Sequence, residues 1–162
     1  MPEIQSSLEK LKEKFTASIQ EAKTFRGEWT VVVSKKDIYE ICQFLHSDPD
    51  LQFRFLTDLC GIDTFPHTPR FEAVYLLYSM KNNQRLRLKA KVGEGEPIPS
   101  VEAIWKCANW LEREAYDLFG IPFENHPDLR RILLWEGYEG HPLRKDYPVE
   151  GPDFDKPFVP EV

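Results

Sequence analysis

Residues 71–92 read FEAVYLLYSMKNNQRLRLKAKV, and the predicted fold is built around them. Its first nine residues are apolar on both faces of a strand, which is typical of a strand inside a sheet. Asn82 and Asn83 tolerate a positive φ, so they favour a hairpin turn. From residue 85 onward basic and apolar side chains alternate, which indicates a strand with one buried face. We therefore expect two adjacent antiparallel strands.

Shorter patterns on both sides of this hairpin indicate helices and further strands. Apolar residues recur at steps of three and four from Ile4 to Ile19, as on one face of an amphipathic helix. The predicted order is a helix over residues 4–19, a strand over 29–33, a helix capped by Ser34 and ended by Pro49, a strand over 51–55, the two strands of residues 71–92, and a helix from Ser100 to Gly120. This order predicts a two-layer α+β domain, whose mixed, largely antiparallel sheet is covered by helices on one face.

The chain divides near Gly120 into an α+β domain, residues 1–120, and an extended proline-rich C-terminal tail, residues 121–162. Seven of the 13 prolines follow Gly120, and proline excludes a long helix or a central strand. The tail still carries Phe123 and the apolar run ILLW at residues 132–135, so we expect it to dock. It either folds back on its own domain or binds a partner, and the sequence pattern leaves both open.

Composition excludes several classes of function. The chain has 162 residues and a net charge of −6, which fits one globular domain and disfavours a free-standing nucleic-acid binder. Its apolar stretches are far shorter than the roughly 18 residues that a membrane span needs. No signal peptide is visible at the N-terminus. We therefore expect any membrane association to go through a partner.

Three cysteines, Cys42, Cys60 and Cys107, are too dispersed for a metal cluster. No Cys-x-x-Cys occurs, so we expect reduced thiols and no iron–sulfur or structural zinc site in this chain. The sequence GEGE at residues 93–96 is acidic and would repel phosphate. The basic side chains that alternate along residues 85–91 either form a solvated outer sheet face or dock on an acidic surface.

Two enzyme interpretations of the polar residues at 112–146 are weak. His126 and His141 could join a nearby aspartate in a metal hydrolase site, but both precede proline and lack the helical spacing of such ligands. Glu112 and Glu114 point about 200° apart on a helix, so they cannot form a shared acid–base pair. We expect each glutamate to pair with an arginine of the tail or of a partner.

Charges of both signs flank the apolar run of the tail. Arginines and aromatic residues in such a mixture suit a buried protein interface, where pairing with carboxylates sets the register. Arg113 and Asp117 are expected to pair on the helix surface. The candidate partner-interface residues are Glu112, Arg113, Glu114, Asp117, His126, Arg130, Arg131, His141, Arg144, Lys145 and Asp146. No catalytic, cofactor-binding or metal-binding residue is predicted.

Long, specific motifs occupy the second half of the chain. They read EREAYDLFG at residues 112–120, NHPDLRRIL at 125–133 and GYEGHPLRKDYP at 137–148, with LTDLCGID at 56–63 and ANW at 108–110 upstream. Together they resemble the C subunit of NADH-quinone oxidoreductase, the thirty-kilodalton-subunit family of respiratory complex I. The resemblance covers about residues 50–148, whereas the first 45 residues are generic.

The resemblance implies a peripheral-arm subunit without a redox centre of its own. The complex would pass electrons from NADH through FMN and iron–sulfur clusters, all held by partner subunits, to quinone, and would drive proton translocation. This chain would pack beside the quinone-site subunit and the terminal iron–sulfur subunit and give the arm its assembly and rigidity. The resemblance also implies a hetero-oligomer on the cytoplasmic side of the plasma (inner) membrane, peripheral, reaching the membrane only through the complex and binding no nucleic acid.

Two alternatives stay open at this point. The nearer one is a homologous subunit of a membrane-bound hydrogenase or of a ferredoxin-fed relative. The distant one is an independent metal hydrolase that uses His126 and His141.

Overall fold

One five-stranded sheet and three α-helices form the two layers of residues 3–150. The computed structural model describes these residues, with side chains from residue 7 onward; the predicted tail beyond residue 150 and the side chain of Ile4 lie outside the described part. The helices are α1 (Glu3–Lys14), α2 (Ile38–Ser47) and α3 (Ala108–Phe119). The strands are β1 (Ile19–Phe25), β2 (Glu28–Val33), β3 (Phe55–Asp63), β4 (Phe71–Ser79), β5 (Gln84–Val92), β6 (Ile98–Pro99) and β7 (Phe123–Glu124).

The main sheet has the strand order β1-β2-β5-β4-β3. Neighbouring strands pair antiparallel except β2 and β5, which pair parallel. The sheet is therefore mixed and largely antiparallel, and the predicted α+β class is confirmed. Strands β6 and β7 form a separate two-residue parallel pair. None of the three helices described has the length and apolar character that crossing a bilayer requires.

The predicted hairpin of β4 and β5 is confirmed. The two strands pair antiparallel from Phe71 opposite Val92 to Ser79 opposite Gln84, and Asn83 in the turn has a φ of 49°. Tyr75 and Leu88 face each other on the inner side of the sheet, and both side chains are fully buried. Burying a large apolar side chain contributes roughly 1.5–3 kcal/mol, so this inner face dominates the core.

The basic side chains of β5 lie on the outer sheet face, between acidic residues of the neighbouring strands. Lys89 Nζ donates to Glu72 of β4 at 2.7 Å, and Arg87 donates to Glu28 of β2 at 3.3 Å. This position agrees with the interpretation of the stripe as an outer sheet face, and the contacts show that its charges are partly paired within the sheet. The exposed pair of Arg87 with Glu28 contributes little to stability, typically about 0.2–1 kcal/mol.

The first predicted helix is too long, because β1 begins within it. Helix α1 ends at Lys14, and Ile19 opens β1, which the sequence pattern did not predict. Arg26 and Gly27, with φ of 51° and 82°, form a tight turn that pairs β1 with β2. Ile19 packs against the core from a strand, so its apolar character fits both the predicted helix and the observed strand.

Two further boundaries differ around α2. Ser34 makes no side-chain capping bond, because a 3₁₀ turn over Lys35–Asp37 precedes α2. The predicted strand at residues 51–55 is also wrong, since β3 begins only at Phe55. The side chain of Asp48 accepts the N–H of Leu51 at 3.1 Å in a turn, so the buried residues after α2 come from irregular backbone.

The third helix begins later than predicted. Ser100 does not start a helix, because the backbone before it pairs with β7 and α3 begins at Ala108. The C-terminal end agrees with the prediction. Gly120 has a left-handed φ of 76°, and its N–H bonds to the carbonyl of Tyr116.

Candidate functional site

Helix α3 carries the central part of the candidate site and holds residues 121–150, which we call the C-terminal segment. Within this segment regular structure is limited to the two residues of β7. The segment lies against its own domain, and the remaining residues of the predicted tail, 151–162, lie outside the described structure. The contacts that hold it run mainly between charged side chains and backbone groups.

The carboxylate of Asp117 is the centre of these contacts. The Asp117 side chain is fully buried, and its Oδ2 accepts the backbone N–H groups of Ile132, Leu133 and Leu134 at 2.8–3.0 Å. Its Oδ1 accepts a bond from Arg131 Nη1 at 2.7 Å. Burial by itself raises the pKa of Asp117, but the N–H groups and Arg131 outweigh burial and hold the pKa below its ordinary value. The carboxylate is therefore ionised at neutral pH.

Arg113 binds carbonyl groups of the same stretch of backbone. Its Nε and Nη2 donate to the carbonyl oxygens of Arg130 and Arg131, both at 3.0 Å. The predicted ion pair between Arg113 and Asp117 is therefore wrong. The two residues are four positions apart on α3 and bind one turn of the segment, Arg113 through its carbonyl groups and Asp117 through the N–H groups that follow. The planar guanidinium of Arg113 suits two parallel bonds.

The segment returns to the same end of α3 after residue 135. Arg131 Nη2 donates to the carbonyl of Gly140 at 2.9 Å, and His141 Nδ1 donates to the carbonyl of Asp117 at 2.8 Å. Burial lowers the pKa of His141, and Arg144 and Arg131 add to this effect. The imidazole is therefore neutral at neutral pH and acts here as a hydrogen-bond donor.

Arg144 closes the C-terminal end of α3. Its Nε donates to the carbonyl of Phe119 at 2.7 Å, and its Nη1 donates to Glu94 at 2.6 Å. The guanidinium thus satisfies an end carbonyl of the helix and places a cation at the negative end of its dipole. Gly120 permits this approach, because a side-chain carbon there would lie 2.5 Å from Arg144 Nη2.

A second cluster joins the segment to the loop between β3 and β4, and the sequence pattern missed it. Arg70 Nη2 donates to Asp63 at 2.8 Å, and Arg70 Nη1 donates to Asp146 at 3.0 Å. Asp63 also accepts the backbone N–H of Lys145 at 2.9 Å. Bonds from Arg70 hold the pKa of Asp63 well below its ordinary value, and Asp63 and Asp146 raise the pKa of Arg70. The sequence signal that could have indicated this cluster is the motif at residues 56–63, which ends on Asp63.

Glu112 is the other buried carboxylate of α3. Within the described residues, the Glu112 carboxylate accepts bonds from the Ser100 hydroxyl at 2.6 Å and from the Val101 N–H at 2.7 Å. The expected pairing with an arginine of the tail is not found there. His126 Nε2 lies 3.9 Å from Glu112 Oε2 and donates to the carbonyl of Asn109 at 3.0 Å. Burial raises the pKa of Glu112 to about 7, because the two hydrogen bonds only partly offset it.

The other candidate residues point outward. Arg130 pairs with Asp128 at 2.9 Å at the surface, and the side chains of Glu114 and Lys145 are exposed.

Both ring nitrogens of His126 are engaged, since Nδ1 accepts the N–H of Asp128 at 3.0 Å and Nε2 donates to the carbonyl of Asn109. No three His, Cys, Asp or Glu side chains among residues 3–150 are grouped as metal ligands would be. What the arrangement can do chemically is hold a chain segment in one conformation.

Large apolar side chains lie exposed on this segment and on α3. Leu133 is 61% exposed, Trp135 58% and Leu143 52%, and Trp110 on α3 is 70% exposed. The ring of Trp135 packs edge-on against Tyr138, with centroids 4.7 Å apart. Exposed apolar groups carried on a fixed backbone are typical of protein-binding surfaces.

The sequence matches one family over most of its length. Residues 31–153 match the family described as "Respiratory-chain NADH dehydrogenase, 30 Kd subunit". The chain is 54% identical over 154 residues to the NADH-quinone oxidoreductase C subunit of Geotalea uraniireducens, covering 94% of this chain and 93% of that one. It is 50% identical over 137 residues to the NADH-quinone oxidoreductase C 2 subunit of Rhizobium meliloti, covering 85% of this chain and 75% of that one.

Two solved structures share the fold. A trypsin-resistant fragment of Nqo5 is 33% identical with a TM-score of 0.63, covering 78% of this chain and 99% of the fragment. A chain of the membrane-bound sulfane sulfur reductase, an archaeal respiratory membrane complex, is 20% identical with a TM-score of 0.74, covering 90% of this chain and 85% of that one. The second likeness concerns the fold alone.

Proposed function

We propose a function from one premise: this chain belongs to the family of the 30-kDa subunit of respiratory-chain NADH dehydrogenase. Its part in the NADH-quinone oxidoreductase complex is that of a non-redox subunit of the peripheral arm. It scaffolds the quinone-site subunit and the terminal iron–sulfur subunit, while partner subunits hold the FMN and the iron–sulfur clusters. Electron transfer and proton translocation belong to the complex, and this chain contributes no catalytic group.

One observation carries this proposal. Three charged residues of the motifs at 112–120 and 137–148, Asp117, Arg113 and Arg144, bind the chain's own backbone. Large apolar side chains of the same segment, Leu133 and Trp135, are meanwhile exposed. A catalytic site needs polar groups that are free to meet a substrate, whereas a scaffold needs a fixed shape and a surface for a partner.

The candidate interface residues divide into two groups in this proposal. One group is bonded within the chain and supports the shape of the surface; it comprises Glu112, Arg113, Asp117, His126, Arg131, His141, Arg144 and Asp146. Arg130, Glu114 and Lys145 have exposed side chains and are available to carboxylates or cations of a partner. We propose that the assembly is a hetero-oligomer on the cytoplasmic side of the membrane, reached only through the complex, with no nucleic acid bound.

Recovery of the tagged full chain from detergent-solubilised membranes tests the proposal. We expect the quinone-site subunit and the terminal iron–sulfur subunit to be recovered with it, and an NADH-binding flavoprotein in the same complex. Recovery of hydrogenase subunits, or of a complex without that flavoprotein, would favour a hydrogenase or ferredoxin-fed relative. Recovery of the chain alone would contradict the scaffold role.

Metal and flavin analysis of the purified chain gives a second, independent check. We expect no stoichiometric iron, zinc or flavin after mild dialysis, because the cysteines are dispersed and both ring nitrogens of His126 are engaged within the chain. Stoichiometric zinc together with hydrolytic activity would instead support the hydrolase alternative.

A further inference from the structure

We propose that protonation of Glu112 controls a local opening of the junction between the domain and the C-terminal segment. The junction consists of residues 98–101 and 122–126. It stays closed against α3 while the Glu112 carboxyl group is neutral, and loss of the proton favours its opening. This device is internal to the chain and requires no partner, so it goes beyond the proposed scaffold role.

Glu112 lies where α3 meets the junction. Its Oε1 accepts the N–H of Val101 at 2.7 Å, and its Oε2 accepts the Ser100 hydroxyl at 2.6 Å. The same stretch also pairs with the start of the segment, because the N–H of Ser100 donates to the carbonyl of Glu124 at 2.9 Å. Residues 98–101 are therefore bound on one side by the Glu112 carboxyl group and on the other by the segment.

The described side chains that face Glu112 supply no positive charge. His126 of the segment lies 3.9 Å away, and it is neutral because its Nδ1 accepts a backbone N–H. Cys42 of α2 and Tyr75 of β4 are also neutral, since burial raises the pKa of both groups and the charge of Glu112 adds to this effect. Glu102, in the turn before α3, is a like charge. An ionised Glu112 therefore lacks a cation to offset its burial.

The hydrogen bonds suit the neutral carboxyl group as well as the ionised one. A protonated Oε2 can donate to the Ser100 oxygen across the same 2.6 Å, while Oε1 still accepts the N–H of Val101. Protonation thus removes the buried charge and keeps the junction bonded. Burial raises the pKa of Glu112 to about 7, from an ordinary value of 4.5 that water would restore on opening. Proton loss and opening therefore favour each other, and the attachment of the segment depends on pH near neutrality.

Amide hydrogen exchange on the full chain, at pH 5 and pH 7, tests the opening. After correction for the intrinsic pH dependence of exchange, we expect protection at Ser100 and Val101 to fall by about tenfold or more over this range. Amides of β4 should be better protected than these two at both pH values, which would show that the junction opens while the sheet stays folded. Equal protection of Val101 and β4, or constant protection of Val101, would overturn the proposal.

Glu112→Gln is the variant that removes the titrating group and keeps an acceptor for the Val101 N–H. We expect protection at Val101 in this variant to be the same at both pH values. Glu114→Gln is the matched control, because it removes one negative charge from an exposed side chain of the same helix, and it should keep the wild-type change. A wild-type change that persists in Glu112→Gln would assign the opening to another group.

A ¹³C NMR titration of the Glu112 carboxyl carbon covers the case in which Glu112→Gln fails to fold. We expect a midpoint near pH 7 in the wild-type chain. Ser100→Ala removes a hydrogen bond that stabilises the carboxylate, so the midpoint should move to higher pH. A wild-type midpoint near pH 4.5, or a midpoint that falls in Ser100→Ala, would overturn the proposal.

Discussion

The main sheet and the C-terminal segment are held in place by different forces. In the sheet, β4 and β5 pair along their full length and bury residues such as Tyr75 and Leu88 completely. In the segment, charged side chains such as Asp117 reach from the domain to the backbone. Apolar burial depends little on pH, whereas charge-assisted bonds require ionised groups. One small domain thus combines a sheet held mainly by apolar burial with an attached segment held by charged groups.

The two buried carboxylates of α3 show the same contrast within one helix. Asp117 has an arginine and three N–H groups, and its pKa is lowered. Glu112 has one hydroxyl and one N–H group, and burial raises its pKa. Both side chains are fully buried, so the number and charge of the donors decide the direction of the shift.

The largest expected effect is in the sheet. Leu88→Ala removes a fully buried side chain from the centre of β5 and should lower the free energy of unfolding by about 2–5 kcal/mol. The same truncation at the exposed Leu133 should change it by less than about 0.5 kcal/mol. Urea denaturation of both variants measures the difference. Equal losses would mean that the segment is as tightly packed as the sheet.

The pH dependence of stability should distinguish the two carboxylates of α3. The raised pKa of Glu112 means that the folded chain binds this proton more tightly than the unfolded chain. Its contribution is therefore greatest below about pH 4.5 and declines as pH rises towards 7, by about 3 kcal/mol in total. The lowered pKa of Asp117 acts in the opposite sense, since its contribution is present above about pH 4 and is lost in acid.

Glu112→Gln tests this expectation directly. The variant should lose the decline in stability between pH 5 and 8 that we expect Glu112 to contribute in the wild-type chain, measured by urea denaturation at both pH values. Glu114→Gln, a change at an exposed position of the same helix, should keep the wild-type decline. A decline that persists unchanged in Glu112→Gln would show that another group carries it.

The smallest of these effects should appear where the segment meets the loop between β3 and β4. Asp63→Asn weakens the bonds to Arg70 and to the N–H of Lys145, while Arg70 keeps Asp146, so we expect a loss of about 1–3 kcal/mol. Limited trypsin digestion should then cleave faster after Arg144 and Lys145, with the sheet intact.

Asp128→Asn provides the control for that digestion. Asp128 forms an exposed pair with Arg130, and exposed pairs contribute at most about 1 kcal/mol. Its cleavage pattern should match that of the wild-type chain. Equal cleavage of the Asp63 variant and the wild type would mean that the cluster around Arg70 does not hold the segment.

Local pattern was sufficient for parts of the fold. The alternation along residues 85–92 and the two asparagines predicted β5 and its turn, because strand period and turn preference act over a few residues. Local pattern was insufficient at Ile19 and around Ser100. There the pairing of β1 with β2 and of β6 with β7 decides where a helix ends or begins. Apolar periodicity alone does not distinguish these cases.

The candidate site shows the same division. Composition, periodicity and long motifs are properties of the chain alone, so they were enough to predict the α+β class, the family and the region in which the polar residues cluster. The bonding partners of these polar residues depend on how the chain folds. Arg70 meets Asp146 across 76 positions of the chain, and Arg113 and Asp117 bind the segment rather than each other. Long-range packing brings these groups together, and their energies depend on burial and on the number of donors, which spacing along the chain does not encode.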